Sequence, residues 1–209
     1  MLLFCSGADD LPSPVNQHQV AMKIYTRTGD AGETGLLGGL RVSKSHQVIE
    51  VCGTLDETNC WLGLVRSEQI DVSMDQLIEQ IQNDLFDIGS MIAASMSDSD
   101  SVAQISTDRV AELESAIDHW DATVPPLQAF ILPSGAQSGC RLHMSRAVCR
   151  RAERQLVSLV ELLDGSQLTT ESVYLNRLSD LLFVLARAVN QSEGRAETKW
   201  RANRERSPD

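Results

Sequence analysis

The sequence lacks the patterns that mark several common classes of enzyme. Its five cysteines include no C-x-x-C pair and are odd in number, so neither a structural zinc site nor a disulfide framework is indicated. The four histidines show no metal-binding spacing such as H-E-x-x-H, and no G-x-S-x-G occurs. A metalloprotease and a hydrolytic triad therefore have no support in the sequence.

Basic residues are also scarce, since 18 Lys and Arg stand against 29 Asp and Glu, for a formal net charge of -11. Nucleic acids and anionic membranes are recruited by a positive field, which this chain does not offer. No apolar run is long enough to span a bilayer, and the opening residues are too short for the core of a signal peptide. We expect a cytoplasmic protein with neither nucleic acid nor membrane as a partner.

The size and composition are those of one globular domain. The chain has 209 residues, of which 42% are hydrophobic and 22% charged, close to the globular average. Residues 1–22 show no apolar period and are predicted to be a disordered extension. We expect the domain itself to cover residues 23–191 and to be followed by a polar tail, residues 192–209.

Apolar residues recur at helical spacing in five segments. These segments are 45–67, 74–96, 107–120, 140–163 and 173–190. Ser73 is the expected N-cap of the second helix, and Gly165 the expected end of the fourth. Strand signals are few and short, so the predicted fold class is all-α, an up-and-down five-helix bundle related to four-helix bundles.

A loop rich in glycine and threonine precedes the first helix. Residues 26–36 read TRTGDAGETGL, and such a loop can present backbone N–H groups and hydroxyls to phosphate oxygens. No G-K-[ST] follows, so the loop is not a Walker A motif, and it is not G-x-G-x-x-G either. From the residues alone, a flexible surface turn is the alternative.

Five arginines crowd the fourth helix, between residues 141 and 154. Arg146, Arg150 and Glu153 fall within an arc of about 60° beside the apolar stripe. Two arginines one turn apart at the edge of a buried face can grip a polyphosphate. An ion pair with a neighbouring acidic helix is the alternative.

Polar side chains also lie beside the apolar stripe of the fifth helix. Asn176, Asp180, Phe183 and Arg187 share one face, where they could order a ligand or simply link helices. In the first helix, Asp56 stands on a largely apolar segment. If it is buried, it needs a partner, and an arginine is the obvious candidate.

Three stretches together resemble the PduO-type ATP:cob(I)alamin adenosyltransferases. They are residues 26–39 (TRTGDAGETGLLGG) with the E-x-x-G-x-x-D-E-x-N of residues 50–59, residues 130–154 (FILPSGAQSGCRLHMSRAVCRRAER) and residues 174–180 (YLNRLSD). Their order and spacing match the family from about residue 23 to residue 190. One departure is Pro133-Ser134-Gly135, where the family commonly has Pro-Gly-Gly. The resemblance implies a five-helix bundle and a homotrimer with active sites between adjacent subunits.

The resemblance also implies which residues bind each substrate. Phe130 and Phe183 would contact the corrinoid, and the catalytic residues would be Arg146, Phe130 and Asp56. Asp56 would pair with Arg146 across the subunit boundary, and Mg²⁺ would accompany the ATP phosphates near Glu153. The residues expected to bind ATP are Thr26, Thr28, Gly29, Asp30, Gly32, Thr34, Lys44, Arg146, Arg150, Glu153 and Asn176.

The reaction implied by the resemblance is transfer of the 5′-deoxyadenosyl group of ATP to the cobalt of cob(I)alamin, with release of triphosphate. A corrinoid reductase and an adenosylcobalamin-dependent enzyme are the partners expected with it. Two alternatives of other classes remain open from the sequence. One is a non-catalytic protein that carries or delivers adenosylcobalamin, and the other is a structural bundle whose arginines pair between helices.

Overall fold

The all-α fold class is confirmed by the computed structural model, which describes residues 24–96, 105–163 and 168–202. The predicted N-terminal extension lies outside the described residues. Within them, five helices and one two-stranded sheet are formed. The helices are α1 (Gln47–Arg66), α2 (Val72–Ala94), α3 (Thr107–Asp121), α4 (Gln137–Leu162) and α5 (Thr169–Ser192).

Helix α4 lies at the centre of the bundle and packs against α1 on one side and α5 on the other. α2 packs on α1, and α3 packs on α5. The apolar stripes predicted from the sequence form the core, as shown by the complete burial of Val51, Leu156 and Leu182. None of the described helices combines the length and the apolarity needed to cross a membrane.

Two helix starts differ from the prediction. Asp71, not Ser73, caps α2, because its Oδ1 accepts the N–H groups of Ser73 at 2.8 Å and of Met74 at 3.3 Å. Helix α4 begins at Gln137, so Gly139 lies inside the helix instead of preceding it. The predicted cap at Gly165 lies outside the described residues.

A small β-hairpin, absent from the prediction, links the glycine-rich loop to α1. Strands β1 (Glu33–Gly35) and β2 (Arg41–Ser43) pair antiparallel, with Thr34 opposite Val42. Leu36, which follows β1, is 2% exposed and anchors the hairpin on the bundle core. The hairpin therefore holds the loop at the start of α1. The sequence did not predict it because three-residue strands are too short to show an alternating pattern of apolar and polar residues.

The start of the predicted polar tail is exposed, but residues 197–200 are joined to the loop before α4 and to α5. The Leu132 N–H donates to the Thr198 carbonyl and the Trp200 N–H to the Phe130 carbonyl, both at 2.8 Å. Arg187 is 3% exposed and pairs with Glu197 at 2.6 Å. Arg187 also pairs with Asp121 of α3 at 3.3 Å. A buried guanidinium needs such partners, so Arg187 links α5 to α3 and to the tail, which is the helix-linking alternative.

Candidate functional site

The helices α4 and α5 run antiparallel, and the polar stripes of both meet along one seam. Glu153 accepts a hydrogen bond from Asn176 at 2.8 Å near one end. Further along, the rings of His143 and Phe183 lie 6.1 Å apart. The structure therefore places Glu153 of α4 and the α5 residues Asn176 and Phe183, all predicted from the sequence, on the two sides of this seam.

Arg146 stands in this seam with its positive charge poorly compensated. Its Nε is buried without a hydrogen-bond partner. Burial, and then the nearby charge of Arg150, lower the pKa of Arg146. In the part of the chain that the structure describes, neither arginine has an ion-pair partner. A bound polyanion would satisfy both guanidinium groups at once.

His143 is a buried polar residue in the seam that the sequence analysis did not single out. It is 4% exposed, and neither ring nitrogen has a hydrogen-bond partner. Burial, followed by the positive charge of Arg146, lowers the pKa of His143 to about 4. The imidazole is therefore neutral at physiological pH. The spacing of three residues predicts that His143 and Arg146 are neighbours on one helix, but it does not show that His143 is buried against α5.

His143 should make the free energy of unfolding depend on pH. The pKa of His143 is about 4 in the native state and near 6.5 in the unfolded chain. Between these two pH values the unfolded state binds a proton on His143 that the native state does not, so the free energy of unfolding decreases as the pH falls. We expect this residue to cost about 2 kcal/mol of stability between pH 7 and pH 5. Urea unfolding of wild type and His143→Leu at the two pH values would measure the cost as a difference.

The control for this experiment is His119→Leu, because His119 is exposed and contributes no comparable burial. That variant should keep the pH dependence of the wild type. An equal loss of stability between pH 7 and pH 5 in wild type and His143→Leu would show that His143 is not held neutral.

The glycine-rich loop forms a second cluster at the start of α1. The Lys44 side chain lies over Gly29, where an added Cβ would be 3.3 Å from Lys44 Nζ. The hydroxyls of Thr26 and Thr28 are hydrogen-bonded at 2.8 Å, and Arg41 donates to the Thr28 carbonyl at 2.7 Å. An ammonium and two hydroxyls thus surround a glycine backbone, a combination that suits phosphate or ribose oxygens.

The other predicted residues of this loop are placed around the same cluster. Asp30 is exposed, the Gly32 N–H donates to the Gly29 carbonyl at 3.2 Å, and Thr34 lies in β1. The loop and the arginine-lined seam are joined through α1, where Gln47 donates to the Gln155 carbonyl of α4 at 3.4 Å. No hydrogen bond or ion pair between the described residues links the loop directly to Arg146 or Arg150.

Phe130 lies at the other end of the seam, on the loop before α4. Its side chain is 79% exposed and contacts Trp200 edge to face, with ring centroids 6.5 Å apart. An open cleft of about 1010 Å³ adjoins this pair, lined by Ala129, Leu132 and residues 197–201. The sequence prediction missed Trp200, because a single tryptophan in a polar tail carries no periodic signal.

Asp56 and Arg146 are not brought together within the chain. Asp56 lines a small cavity with Leu85, Phe86 and other residues on the α2 side of α1. Arg146 lies on the α5 side of α4, whereas the adjacent Ser145 faces α1 and donates to the Thr58 carbonyl at 3.5 Å. A contact between Asp56 and Arg146 would need a second copy of the chain.

The described residues hold no group of three or more His, Cys, Asp or Glu side chains able to bind a metal. Glu153, which the resemblance places near the magnesium ion, accepts a hydrogen bond from Asn176 through one of its oxygens. A single carboxylate suits Mg²⁺, which keeps most of its other ligands as phosphate oxygens and water.

Comparisons with known proteins give one answer. The family model for cobalamin adenosyltransferase matches residues 24–189. A cobalamin adenosyltransferase of Cupriavidus metallidurans is 41% identical over 186 residues, which cover 88% of this chain and 96% of that protein. The corrinoid adenosyltransferase PduO of Salmonella typhimurium is 45% identical over 168 residues, 80% of this chain but only 49% of that longer protein.

A solved structure shows the same fold. It is a variant PduO-type ATP:corrinoid adenosyltransferase from Lactobacillus reuteri, complexed with cobalamin and ATP. It matches with a TM-score of 0.78 and 33% identity, covering 86% of this chain and all of that one. With its five-helix bundle and the seam of α4 and α5, the chain belongs to the cobalamin adenosyltransferase family, as its sequence motifs predict.

Proposed function

We propose that the chain transfers the 5′-deoxyadenosyl group of ATP to the cobalt of cob(I)alamin. The observation that carries this proposal is the undercompensated charge of Arg146 and Arg150 in the seam, in a family whose solved member binds cobalamin and ATP. Arg146 is half-buried and Arg150, one turn further on, is exposed. A half-buried cation without a carboxylate partner is costly unless an anion neutralises it. ATP supplies that anion.

The nucleotide would be held at three places. Arg146 and Arg150 would grip the triphosphate, and Asn176, already fixed by Glu153 at 2.8 Å, would order the nucleotide beside them. Lys44 and the loop of residues 26–34 would enclose ATP from the start of α1. In the assembled site these groups would place C5′ of ATP toward the Phe130 end of the seam.

The corrinoid would bind at that end, against Phe130 and Phe183. Phe130 projects from the bundle, so its ring can meet a large planar ligand without rearrangement of the core. An apolar face next to the cobalt keeps water and other axial ligands away. Phe183 continues this apolar surface into the seam, where it adjoins the neutral His143.

The transfer itself is a substitution at carbon. The reduced cobalt of the substrate attacks C5′, the cobalt–carbon bond forms as the C5′–O bond breaks, and triphosphate leaves with the electron pair. No proton moves, so the site needs no general base. The arginines would act by positioning the triphosphate and by stabilising the charge that develops on it.

Magnesium would enter with ATP, bound chiefly by phosphate oxygens. Glu153 is the side chain placed to contact it, directly or through water. Mg²⁺ would neutralise part of the triphosphate charge, which adds to the effect of the arginines. The protein would contribute Glu153, which its hydrogen bond with Asn176 would orient toward the phosphates.

The active form would be a homotrimer with sites between adjacent subunits. Support comes from the separation of Asp56 and Arg146 within the chain, since their expected pairing would need a second copy. Two exposed apolar residues, Phe86 of α2 and Met144 of α4, each 45% exposed, would gain cover if they lay in such an interface. Sedimentation of the purified chain tests the trimer.

The decisive experiment mixes the protein anaerobically with chemically reduced cob(I)alamin and MgATP. Formation of adenosylcobalamin, followed by its absorbance, together with an equal amount of triphosphate, is the expected result. A protein that only carries adenosylcobalamin would release no triphosphate, and a structural bundle would also show no saturable heat on titration with MgATP. Either outcome would reject the transferase.

Because cob(I)alamin must be generated by reduction, a corrinoid reductase is the proposed supplier of the substrate. An enzyme that depends on adenosylcobalamin is the proposed recipient of the product. Both would share the cytoplasm with this chain, where reducing conditions suit Cys52 and Cys149, which are buried free thiols. Co-purification of a corrinoid reductase activity with the protein would test the first partnership.

A further inference from the structure

The side chain of Asn190, near the end of α5, is joined to the loop that precedes α4. Its Oδ1 accepts the Ala136 N–H at 2.8 Å, and its Nδ2 donates to the Ser134 carbonyl at 2.9 Å. The residue is 3% exposed. We infer that Asn190 is a positioning residue that sets where the Phe130 loop, residues 130–136, stands relative to α5.

Two glycines leave room for this contact. An added Cβ would lie 2.1 Å from Asn190 Oδ1 at Gly135 and 2.5 Å from it at Gly139. Gly135 also has a φ of +120°, a conformation that residues with a side chain rarely adopt. The backbone of the loop and of the first turn of α4 therefore rests directly on the carboxamide. A larger residue at either position would push it away.

The position of Phe130 depends on this attachment because its ring has little packing of its own. Beyond the edge contact with Trp200, the loop is held by backbone hydrogen bonds to residues 198–200 at one end and by Asn190 at the other. The Ser134 hydroxyl adds a bond to the Leu132 carbonyl at 3.2 Å. Serine at this position thus reinforces the loop that Asn190 fixes.

Asn190 and Phe183 lie on the same helix, seven residues apart, which is about two turns. Fixing the loop to α5 therefore also fixes the distance between Phe130 and Phe183, the two proposed corrinoid contacts. The inference rests on that proposed function. The arginines lie farther along α4, with Arg146 about 14 Å from the helix start at 1.5 Å per residue, so ATP binding should be insensitive to Asn190.

The test compares Asn190→Ala with wild type in the anaerobic assay. We expect kcat/KM for cob(I)alamin to fall about tenfold, from loss of two buried hydrogen bonds, while KM for ATP stays within about twofold. Gln191→Ala, an exposed neighbour, is the matched control and should behave as wild type. An equal rise in KM for both substrates would overturn the inference, because it would indicate general loosening of the bundle.

A second variant guards against loss of folding. Gly139→Ala keeps every hydrogen-bonding group and favours the helix, but its Cβ would displace the Asn190 carboxamide. It should reproduce the corrinoid defect of Asn190→Ala, and its thermal unfolding, compared with that of Asn190→Ala, would show whether the variant is still folded. A Gly139→Ala enzyme with unchanged corrinoid kinetics would show that the carboxamide does not set the loop.

A double-mutant cycle with Phe130→Ala separates this inference from the proposed function. If Asn190 acts through Phe130, the double variant should be no worse than Phe130→Ala alone. Additive losses would overturn the inference and leave the role of Phe130 intact. If Phe130→Ala has wild-type kinetics, Phe130 does not contact the corrinoid, and Asn190 cannot act by positioning it.

Discussion

Replacing Arg146 with alanine should lower kcat/KM for ATP by about 10² to 10³-fold, the usual cost of removing one preorganised charge from a developing anion. The protein should nevertheless remain folded. Burial and the neighbouring Arg150 charge lower the pKa of Arg146, which means that its cationic form is disfavoured in the native state. Thermal unfolding of Arg146→Ala should therefore occur at the wild-type temperature or above it.

This combination of lost activity and kept stability distinguishes a ligand-binding arginine from a structural one. Arg154→Ala is the matched control, since Arg154 lies on the same helix but is exposed; its activity should stay within about twofold of wild type. The kcat/KM of Arg146→Lys for ATP should lie between those of Arg146→Ala and Arg154→Ala, because lysine keeps the positive charge but lacks the planar guanidinium group. A clear fall in the unfolding temperature of Arg146→Ala would assign the residue to the fold instead.

The seam of α4 and α5 could be predicted from the sequence in large part. Helical periodicity places Arg146, Arg150 and Glu153 on one side of α4, and Asn176 and Phe183 on one side of α5, and both sets border an apolar stripe. What periodicity cannot supply is the alignment of the two helices. The pairing of Glu153 with Asn176, which follows from it, appears only in the structure.

Contacts between distant segments explain the remaining differences. The tail from residue 193 to residue 202 looks solvated in the sequence and is largely exposed in the structure. It is nevertheless held in place, because Arg187 is buried and pairs with Glu197. In the same way, the start of α4 at Gln137 depends on Asn190, which lies more than fifty residues later along the chain. Single-helix patterns carry no information about such partners.

Asp84, in the core, is a further residue whose partners could not be predicted from the pattern of a single helix. It stands on the apolar face of α2 beside Leu85 and is 8% exposed. Its Oδ2 accepts hydrogen bonds from the Tyr174 hydroxyl and from Arg109, each at 2.6 Å. Burial, and then the negative charge of Asp84, raise the pKa of Tyr174 well above its usual value. One carboxylate thus joins α2, α3 and α5.

Replacing Asp84 with alanine should destabilise the protein by about 3–5 kcal/mol, because it leaves a buried hydroxyl without a partner and removes the acceptor of Arg109. For a chain of this size the expected fall in unfolding temperature is about 10 °C. Asp87→Ala, an exposed position on the same helix, should change the free energy of unfolding by less than about 0.5 kcal/mol. Urea denaturation of both variants would measure the difference.

Tyr174→Phe refines the same test. It removes the hydroxyl but leaves the pair of Asp84 and Arg109, so it should cost only about 1 kcal/mol. In the double variant of Asp84→Ala and Tyr174→Phe no orphaned hydroxyl remains, and the combined loss should be smaller than the sum of the two single losses. Strictly additive losses would show that Tyr174 and Asp84 stabilise the bundle independently, although they touch. Less-than-additive losses would establish the carboxylate as the shared link that docks α2 and α3 on α5, on the far side of α5 from the seam with α4.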